Sequence, residues 1–226
     1  MGTSSAEVPD VKGPPPSTVP PSEVGWRRVN SHFVYGTIRK AIRDGGVKGP
    51  ILMAPCGYGW YFQRFRRDNI EVVGMDIAPS RIERARATVT PPMKVIEGNI
   101  LQMEFADGQF ELVLTNRFLM HFETDFRARA MKELARVSRK YLLVHYDVPS
   151  QHTFMRKLRG FKKKDFTPEE LQGWRSNKRQ KRRLIYTPEL MAAEGATAGL
   201  VVKKIYHVFP VLASRVYCLY EKKSAT

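Results

Sequence analysis

Between residues 50 and 146, short runs that are almost entirely apolar alternate with stretches of helical periodicity. An apolar run without polar alternation is typical of a strand that is buried on both faces of a sheet. Strands separated by helices pair in parallel through crossover connections rather than as hairpins. The pattern therefore predicts an α/β fold, with a mostly parallel sheet and helices on both of its faces.

Seven strands are expected in this fold. They cover residues 51–54, 70–75, 94–96, 110–115, 141–144, 201–208 and 214–220. Because only Phe209-Pro210-Val211 and its neighbours separate the last two runs, we expect an antiparallel pair that closes one edge of the sheet. The expected helices cover residues 26–43, 60–67, 81–88 and 125–138, and a short one begins at Pro188. Ser80 is the expected N-cap of the helix at 81–88.

The chain has 226 residues, of which 42% are hydrophobic, and this is enough for one well-packed domain. Residues 1–24 hold six prolines among Gly and Ser and few large apolar side chains. Such a segment cannot bury enough surface to offset its ordering entropy, so we expect a disordered tail. The single domain is expected to span residues 25–226, with a basic insertion at 150–186.

The chain is strongly basic, with 38 Lys and Arg against 22 Asp and Glu and a formal net charge of +16. Such a field attracts anions, so RNA, an anionic membrane surface and phosphorylated molecules are all compatible partners. Twelve of the basic residues lie in the insertion, between Arg156 and Arg183, interleaved with aromatic and Leu side chains. Four interpretations of the insertion stay open: a solvated charged face, a lid that recruits an anionic substrate, a membrane-surface contact for a lipid, and an RNA-binding arm.

Several classes of site are not indicated. The two cysteines, Cys56 and Cys218, are far apart and neither has a CxxC partner, so no metal site is expected. The sequence shows no secretory signal and no apolar run of membrane-spanning length. We therefore expect a cytoplasmic protein, with peripheral membrane contact as the alternative that the basic insertion leaves open.

The loop after the first strand, Pro55-Cys56-Gly57-Tyr58-Gly59, is the first candidate binding element. Its glycines let the backbone turn tightly and approach a ligand, and the next helix points free N–H groups at the same place. Asp76, at the end of the second strand, can accept hydrogen bonds from both hydroxyls of a ribose. NAD and S-adenosylmethionine both fit this arrangement, but Phe62 stands where a dinucleotide fingerprint has its third glycine. The aromatic residues of the loop instead favour a sulfonium.

Three stretches of the chain resemble motifs of the class I S-adenosylmethionine-dependent methyltransferase superfamily. They are ILMAPCGYGW at 51–60, EVVGMDIAPSRIERARA at 71–87 and GNILQMEFADGQFELVLTNRFLMHF at 98–122. The resemblance implies the Rossmann-like, seven-stranded sheet of that superfamily, with an antiparallel last strand. It also implies S-adenosylmethionine as the cofactor, with Asp76 on the ribose, Ile77 against the adenine ring and Asn99 beside it. The cofactor-binding residues that it implies are Pro55, Cys56, Gly57, Tyr58, Gly59, Asp76, Ile77, Asn99, Ile100 and Asn116.

Two positions depart from the first motif of the superfamily. Met53 stands where an acidic residue usually helps to hold the ammonium group of the cofactor, and Pro55 stands where Gly is usual. Pro55 also lacks a backbone donor. Backbone carbonyls, Asn116 or another group would have to replace the acid, or the cofactor would bind less tightly. A non-catalytic member of the fold is therefore one alternative to an active enzyme.

The residues after the fourth strand, Asn116 to His121, are implied to line the methyl-transfer site. They lack the Asn/Asp-Pro-Pro-Tyr/Phe motif of enzymes that act on exocyclic base amines or glutamine, and no cysteine is placed like the nucleophile of cytosine-C5 enzymes. The expected function is methyl transfer to O or N of a small-molecule or lipid-like acceptor, which could carry a negative charge. An RNA methyltransferase that uses residues 156–183 is the alternative enzyme.

Positioning supplies much of the catalysis of methyl transfer, and a base is needed only if the acceptor loses a proton. The candidate catalytic residues are His121, after the fourth strand, and His145, which is expected directly after the fifth. The candidate acceptor-binding residues are Tyr35, Arg117, Phe118 and Tyr146.

Overall fold

The computed structural model describes residues 21–148, 186–208 and 215–223, with side chains given from residue 31 onward. The predictions for the tail up to residue 20, for the insertion between 149 and 185 and for the connection at 209–214 lie outside these ranges.

Seven strands form one sheet in the order β3-β2-β1-β4-β5-β7-β6. Strands β1 to β5 pair in parallel, whereas β7 is antiparallel to both β5 and β6. Their bounds are β1 Ile51–Met53, β2 Val72–Asp76, β3 Lys94–Glu97, β4 Phe110–Thr115, β5 Ser138–Asp147, β6 Leu200–His207 and β7 Arg215–Lys222. The predicted α/β class, the seven strands and the antiparallel last strand are confirmed.

Five α-helices connect these strands within the described ranges. They are α1 Pro21–Asp44, α2 Phe62–Arg67, α3 Pro79–Arg86, α4 Thr124–Val137 and α5 Pro188–Thr197, and a short 3-10 turn covers Leu119–His121. Two predicted boundaries are wrong. Helix α1 begins before the predicted residue 26, so residues 21–24 belong to a helix rather than to the tail. The N-cap of α3 is Ala78 and not Ser80, because Pro79 occupies the first helical position, where its fixed φ and missing N–H suit a helix.

Strand β5 is longer than predicted, since it runs from Ser138 to Asp147 rather than from Tyr141 to Val144. The extension has a non-local cause. Strand β7 pairs with β5 along its length, from Tyr141 opposite Glu221 to Asp147 opposite Arg215, and this ladder keeps the last residues of β5 extended. As a result, the side chains after Val144 lie inside the sheet and not beyond its end.

Side chains alternate along the strands and fill two separate cores. Ile51 of β1 and Leu112 of β4 belong to the core on the face covered by α1, α2 and α3. Leu52 and Val113 point the opposite way and pack in the core beneath α4 and α5. No helix in the described ranges combines the length and the apolar character that a bilayer crossing needs. The order of the sheet reverses between β1 and β4, and the carboxyl ends of strands at such a point are where ligands of this fold bind.

Candidate active site

A cavity of about 560 Å³ opens at the carboxyl ends of β1, β2 and β4. Its volume lies within the usual range for a site that holds a small molecule. The residues that line it are Met53, Pro55, Cys56, Gly57, Tyr58, Trp60, Tyr61, Met75, Asp76, Ile77, Ala78, Pro79, Ser80, Arg81, Gly98, Ile100, Asn116, Arg117, Phe118 and His121. The loop after β1 and Asp76, predicted separately, therefore face one cavity.

The two glycines of the loop, Gly57 and Gly59, have different structural roles. Both have positive φ, 57° at Gly57 and 74° at Gly59, which side chains rarely tolerate. A Cβ on Gly57 would meet no atom within 4 Å, so this glycine leaves space open beside the cavity. A Cβ on Gly59 would lie 2.8 Å from the ring of Phe62, which is fully buried. Gly57 thus serves ligand approach, whereas Gly59 serves packing and does not line the cavity.

Asp76 ties the loop to the end of β2. Its Oδ2 accepts a 2.8 Å hydrogen bond from the Gly57 N–H, and its Oδ1 accepts bonds from the N–H groups of Ile77 and Ala78 at 2.9 and 3.1 Å. Arg81 lies 3.8 Å from the same carboxylate, which is only 1% exposed. A carboxylate has about four acceptor positions, so three backbone bonds still leave room for a ribose hydroxyl.

The apolar part of the predicted cofactor set is in place. Ile77 is 40% exposed at the rim of the cavity, where a flat ring could cover it, and Ile100 forms part of the opposite lining. Asn99 does not line the cavity, since its side-chain oxygen accepts a hydrogen bond from the Leu101 N–H at 2.9 Å. An open Gly57, an accepting carboxylate and two isoleucines are a suitable set for an adenosyl group.

The two atypical residues of the first motif both line the cavity, Met53 buried and Pro55 partly exposed. Met53 lines the cavity and is 3% exposed, so Asp76 is the only carboxylate among the described lining residues. Pro55 fits without loss of the loop's anchorage, because the N–H of Ala54 bonds Leu114 in β4 and that of Cys56 bonds Met75 in β2. Burial raises the pKa of the Cys56 thiol to about 12, so it is not a nucleophile at neutral pH.

The other end of the cavity is formed by the residues after β4. Asn116, Arg117, Phe118 and His121 all line it, and Arg117 and His121 are exposed. Arg117 has a φ of 51°, in the left-handed region. Phe118 continues into a cluster of rings with Phe122, 4.6 Å away between centroids. Among the described residues, no group of three or more His, Cys, Asp or Glu is arranged to hold a metal ion.

Three of the candidate catalytic and acceptor-binding residues also lie outside the cavity lining. Tyr35 is buried against Tyr61, and its hydroxyl donates to the Asp68 carboxylate at 2.8 Å. The prediction that His145 and Tyr146 follow the fifth strand is wrong, because β5 continues to Asp147 and both side chains are buried within it, at 2% and 0% exposure. Tyr146 donates instead to Glu194 of α5.

Sequence reasoning did not assign several residues that lie in or beside the site, and four of them carry side chains of functional interest. Trp60 and Tyr61 come directly after the glycine loop, and the aromatic crowding there was the available signal. Arg81 lies on α3, the helix that begins three residues after Asp76. Tyr217 lies in β7, and its hydroxyl is 2.5 Å from Asn116 Oδ1. No local pattern marks Tyr217, because it reaches the site only through the pairing of three strands.

Comparison with known proteins supports this description of the fold. A family model described as a methyltransferase domain matches residues 51–141. No individual curated protein matches the sequence significantly.

Several solved structures share the fold at low sequence identity. Magnesium protoporphyrin IX methyltransferase from Synechocystis PCC 6803, solved with bound S-adenosylhomocysteine, is 13% identical, with a TM-score of 0.64 over 91% of this chain and 89% of that one. A S-adenosylmethionine-dependent methyltransferase from Methanosarcina mazei is 17% identical, with a TM-score of 0.59 over 79% and 94%. A possible histamine N-methyltransferase from Thermotoga maritima is 16% identical, with a TM-score of 0.57 over 89% and 96%.

The matched residues run from β1 into β5 and include the loop at Gly57, Asp76 and the end of β4. These are the same parts of the chain that carry the sequence motifs and that surround the cavity. Residues 51–141 therefore match a methyltransferase domain, the chain has the fold of solved S-adenosylmethionine-dependent methyltransferases, and both findings support S-adenosylmethionine as the cofactor.

Proposed function

We propose that the enzyme transfers the methyl group to an oxygen or nitrogen atom of a small, anionic acceptor. The observation that carries this proposal is Arg117, which lines the cavity directly after β4 with a φ of 51°. The left-handed region is unfavourable for a residue with a Cβ, and such strain concentrates at functional sites. A guanidinium held at this place is suited to bind a carboxylate or phosphate group.

The charges of the cavity support the same proposal. Asp76 lies at the end where the ribose is expected, whereas Arg117 and His121 lie at the other end. Asp76 is the only carboxylate among the described residues that line the cavity. An acceptor with a negative group would thus be attracted to the end of the cavity where the methyl group is expected, and its apolar part would contact Phe118.

The chemistry asks little more of the protein than positioning. S-adenosylmethionine, when bound, would supply the reactive methyl group, and the residues after β4 would align the acceptor atom with it. An acceptor that must lose a proton needs a base, and His121, exposed in the lining of the cavity, is the proposed one.

Transfer of labelled methyl groups into a cell extract tests the acceptor class. The extract is separated into low-molecular-weight, lipid, RNA and protein fractions after incubation with the enzyme and methyl-labelled S-adenosylmethionine. We expect the label in low-molecular-weight compounds that an anion exchanger retains. Label confined to RNA or to neutral lipids would overturn the proposal.

A substitution at Arg117 then tests the residue. In Arg117→Ala we expect the KM of the labelled acceptor to rise about 10- to 100-fold, the size of a lost hydrogen bond to a charged group, with unchanged affinity for the cofactor. Arg129→Ala is the matched control, because Arg129 is exposed on α4 and does not line the cavity. An equal effect of both substitutions would refute a specific role for Arg117.

A further inference from the structure

Tyr217 reaches the site from an unexpected distance. It belongs to β7, which is separated from β4 by the whole of β5. Two strand spacings amount to about 10 Å, so contact between β7 and the end of β4 needs a long side chain. Tyr217 lies opposite His145 of β5, and its hydroxyl is 2.5 Å from Asn116 Oδ1.

This contact has a definite direction. The tyrosine hydroxyl donates and the Asn116 oxygen accepts, at a separation that is at the short end of the O–H···O range and too short for an amide N–H donor. The Tyr217 side chain is fully buried, and burial raises its pKa well above the usual value. The hydroxyl therefore keeps its proton over the whole physiological range of pH.

Because the Asn116 oxygen accepts from Tyr217, the NH₂ group of the same amide points away from Tyr217. The side chain of Asn116 also interacts with the Tyr61 hydroxyl and lowers the pKa of Tyr61, as a donor does, although burial raises that pKa more strongly. Tyr61 therefore stays protonated. Among the residues that the structure describes, its hydroxyl donates no hydrogen bond to the protein, and Tyr61 lines the cavity.

We propose that Tyr217 is a positioning residue that orients Asn116 so that its NH₂ group joins other hydrogen-bond donors at the acceptor end of the cavity. The donors are the Asn116 NH₂ group, the Tyr61 hydroxyl and the Arg117 guanidinium. Such a group of donors binds an oxyanion, a carboxylate above all, more tightly than an uncharged amide of the same shape, whose NH₂ group would face the Asn116 and Arg117 donors. This inference rests on the proposed anionic acceptor and assigns the source of its selectivity.

The same arrangement bears on the missing acid at Met53. Because its oxygen is engaged by Tyr217, Asn116 faces the cavity as a donor. It is therefore poorly suited to replace a carboxylate as the acceptor for the cofactor's ammonium group. Backbone carbonyls of the loop after β1 remain the better candidates for that role.

Binding of a matched pair of small probes tests the inference without knowledge of the natural acceptor. Benzoate and benzamide differ in charge and in one donor group but hardly in shape. Their dissociation constants are measured by ligand-observed NMR on enzyme saturated with S-adenosylhomocysteine. In the wild type we expect benzoate to bind more tightly. In Tyr217→Phe we expect the ratio of the two constants to fall about tenfold, the size of a weakened bond to a charged group.

Two further variants separate selectivity from stability. Tyr206→Phe also removes a tyrosine hydroxyl, one that lies 3.3 Å from Asp44 at the far edge of the sheet, and we expect it to leave the ratio unchanged. Tyr61→Phe removes the hydroxyl donor that lies beyond Asn116. It should weaken benzoate binding and leave benzamide binding unchanged. This second variant keeps the test decisive if Tyr217→Phe unfolds.

The outcomes are distinguishable. A wild type without preference for benzoate would contradict the proposed anionic acceptor itself. A preference that survives in both Tyr217→Phe and Tyr61→Phe would leave that function standing but overturn the role of Tyr217. A Tyr217→Phe variant with weakened cofactor binding, measured by calorimetry, and an unchanged probe ratio would assign the donors to the cofactor's own carboxylate and also overturn the inference.

Discussion

Asp76 combines two roles in one carboxylate. It is the proposed acceptor for a ribose hydroxyl, and it already accepts hydrogen bonds from the backbone N–H groups of Gly57, Ile77 and Ala78. We expect Asp76→Ala to raise the dissociation constant of S-adenosylmethionine by at least about tenfold, since it removes hydrogen bonds to a charged group. Calorimetry measures this loss, and His121→Ala should change the same constant by less than about threefold.

Asp76→Asn serves as the conservative companion. The amide keeps one accepting oxygen, but its NH₂ group has to face either Gly57 N–H or the pair at Ile77 and Ala78, so the loop should lose one anchor. Glu83→Ala, an exposed carboxylate on α3, is the control for a simple change of charge. If His121→Ala weakened cofactor binding as much as Asp76→Ala, the position assigned to the cofactor site would be wrong.

The site residues that could be predicted from sequence are those whose position depends on one strand and the loop after it. Gly57, Asp76 and Asn116 each follow a short apolar strand, and parallel strands bring their carboxyl ends to one edge. Tyr217 and the burial of His145 could not be predicted in this way. Both depend on the register between β5 and β7, which are far apart in the sequence.

At the scale of elements, a buried ion pair joins α4 to α5. Arg127 of α4 is 1% exposed, and its Nε donates to Glu194 of α5 at 2.8 Å. Its guanidinium also lies 4.5 Å from the centre of the Tyr186 ring, and Glu194 accepts a further bond from Tyr146. Two helices and strand β5 therefore meet at one carboxylate.

Removal of Arg127 from this ion pair leaves the charge of Glu194 without a buried partner of opposite sign. We expect Arg127→Met to lower the free energy of unfolding by about 3–5 kcal/mol, as measured by urea denaturation. The double variant Arg127→Met/Glu194→Leu should be more stable than Arg127→Met alone, because no uncompensated carboxylate remains.

Arg129→Met provides the control for this prediction, since Arg129 is exposed on the same helix. It should change the free energy of unfolding by no more than about 0.5 kcal/mol. Strictly additive effects in the Arg127 and Glu194 variants would mean that the two side chains do not stabilise the fold as a pair. Arg127 would then contribute to the free energy of unfolding through its packing on Tyr186 alone.

The whole molecule carries its charge unevenly. Residues 150–185 hold twelve Lys and Arg against three Asp and Glu, so they contribute +9 of the formal +16. The residues on either side of this segment are adjacent in space, because the N–H of Tyr186 donates to the carbonyl of Asp147 at 3.0 Å. The remaining domain, with its sheet, its two cores and the described cavity, lies outside the segment in sequence.

We therefore expect the domain to tolerate replacement of residues 150–185 by a Gly-Ser linker of about four residues, because a short loop suffices to join neighbouring ends. Thermal unfolding and cofactor affinity should stay close to those of the full chain. Adsorption to single-stranded RNA should weaken, and its salt dependence should become shallower, since each lost phosphate contact removes about 0.7 from the logarithmic slope.

An unchanged slope would place the RNA-attracting charge on the folded domain instead, with the arginines of α2 and α3 as the next surface to test. Because cofactor affinity is measured on the same protein, a loss of RNA adsorption at constant cofactor affinity separates the electrostatic role of the segment from the integrity of the site.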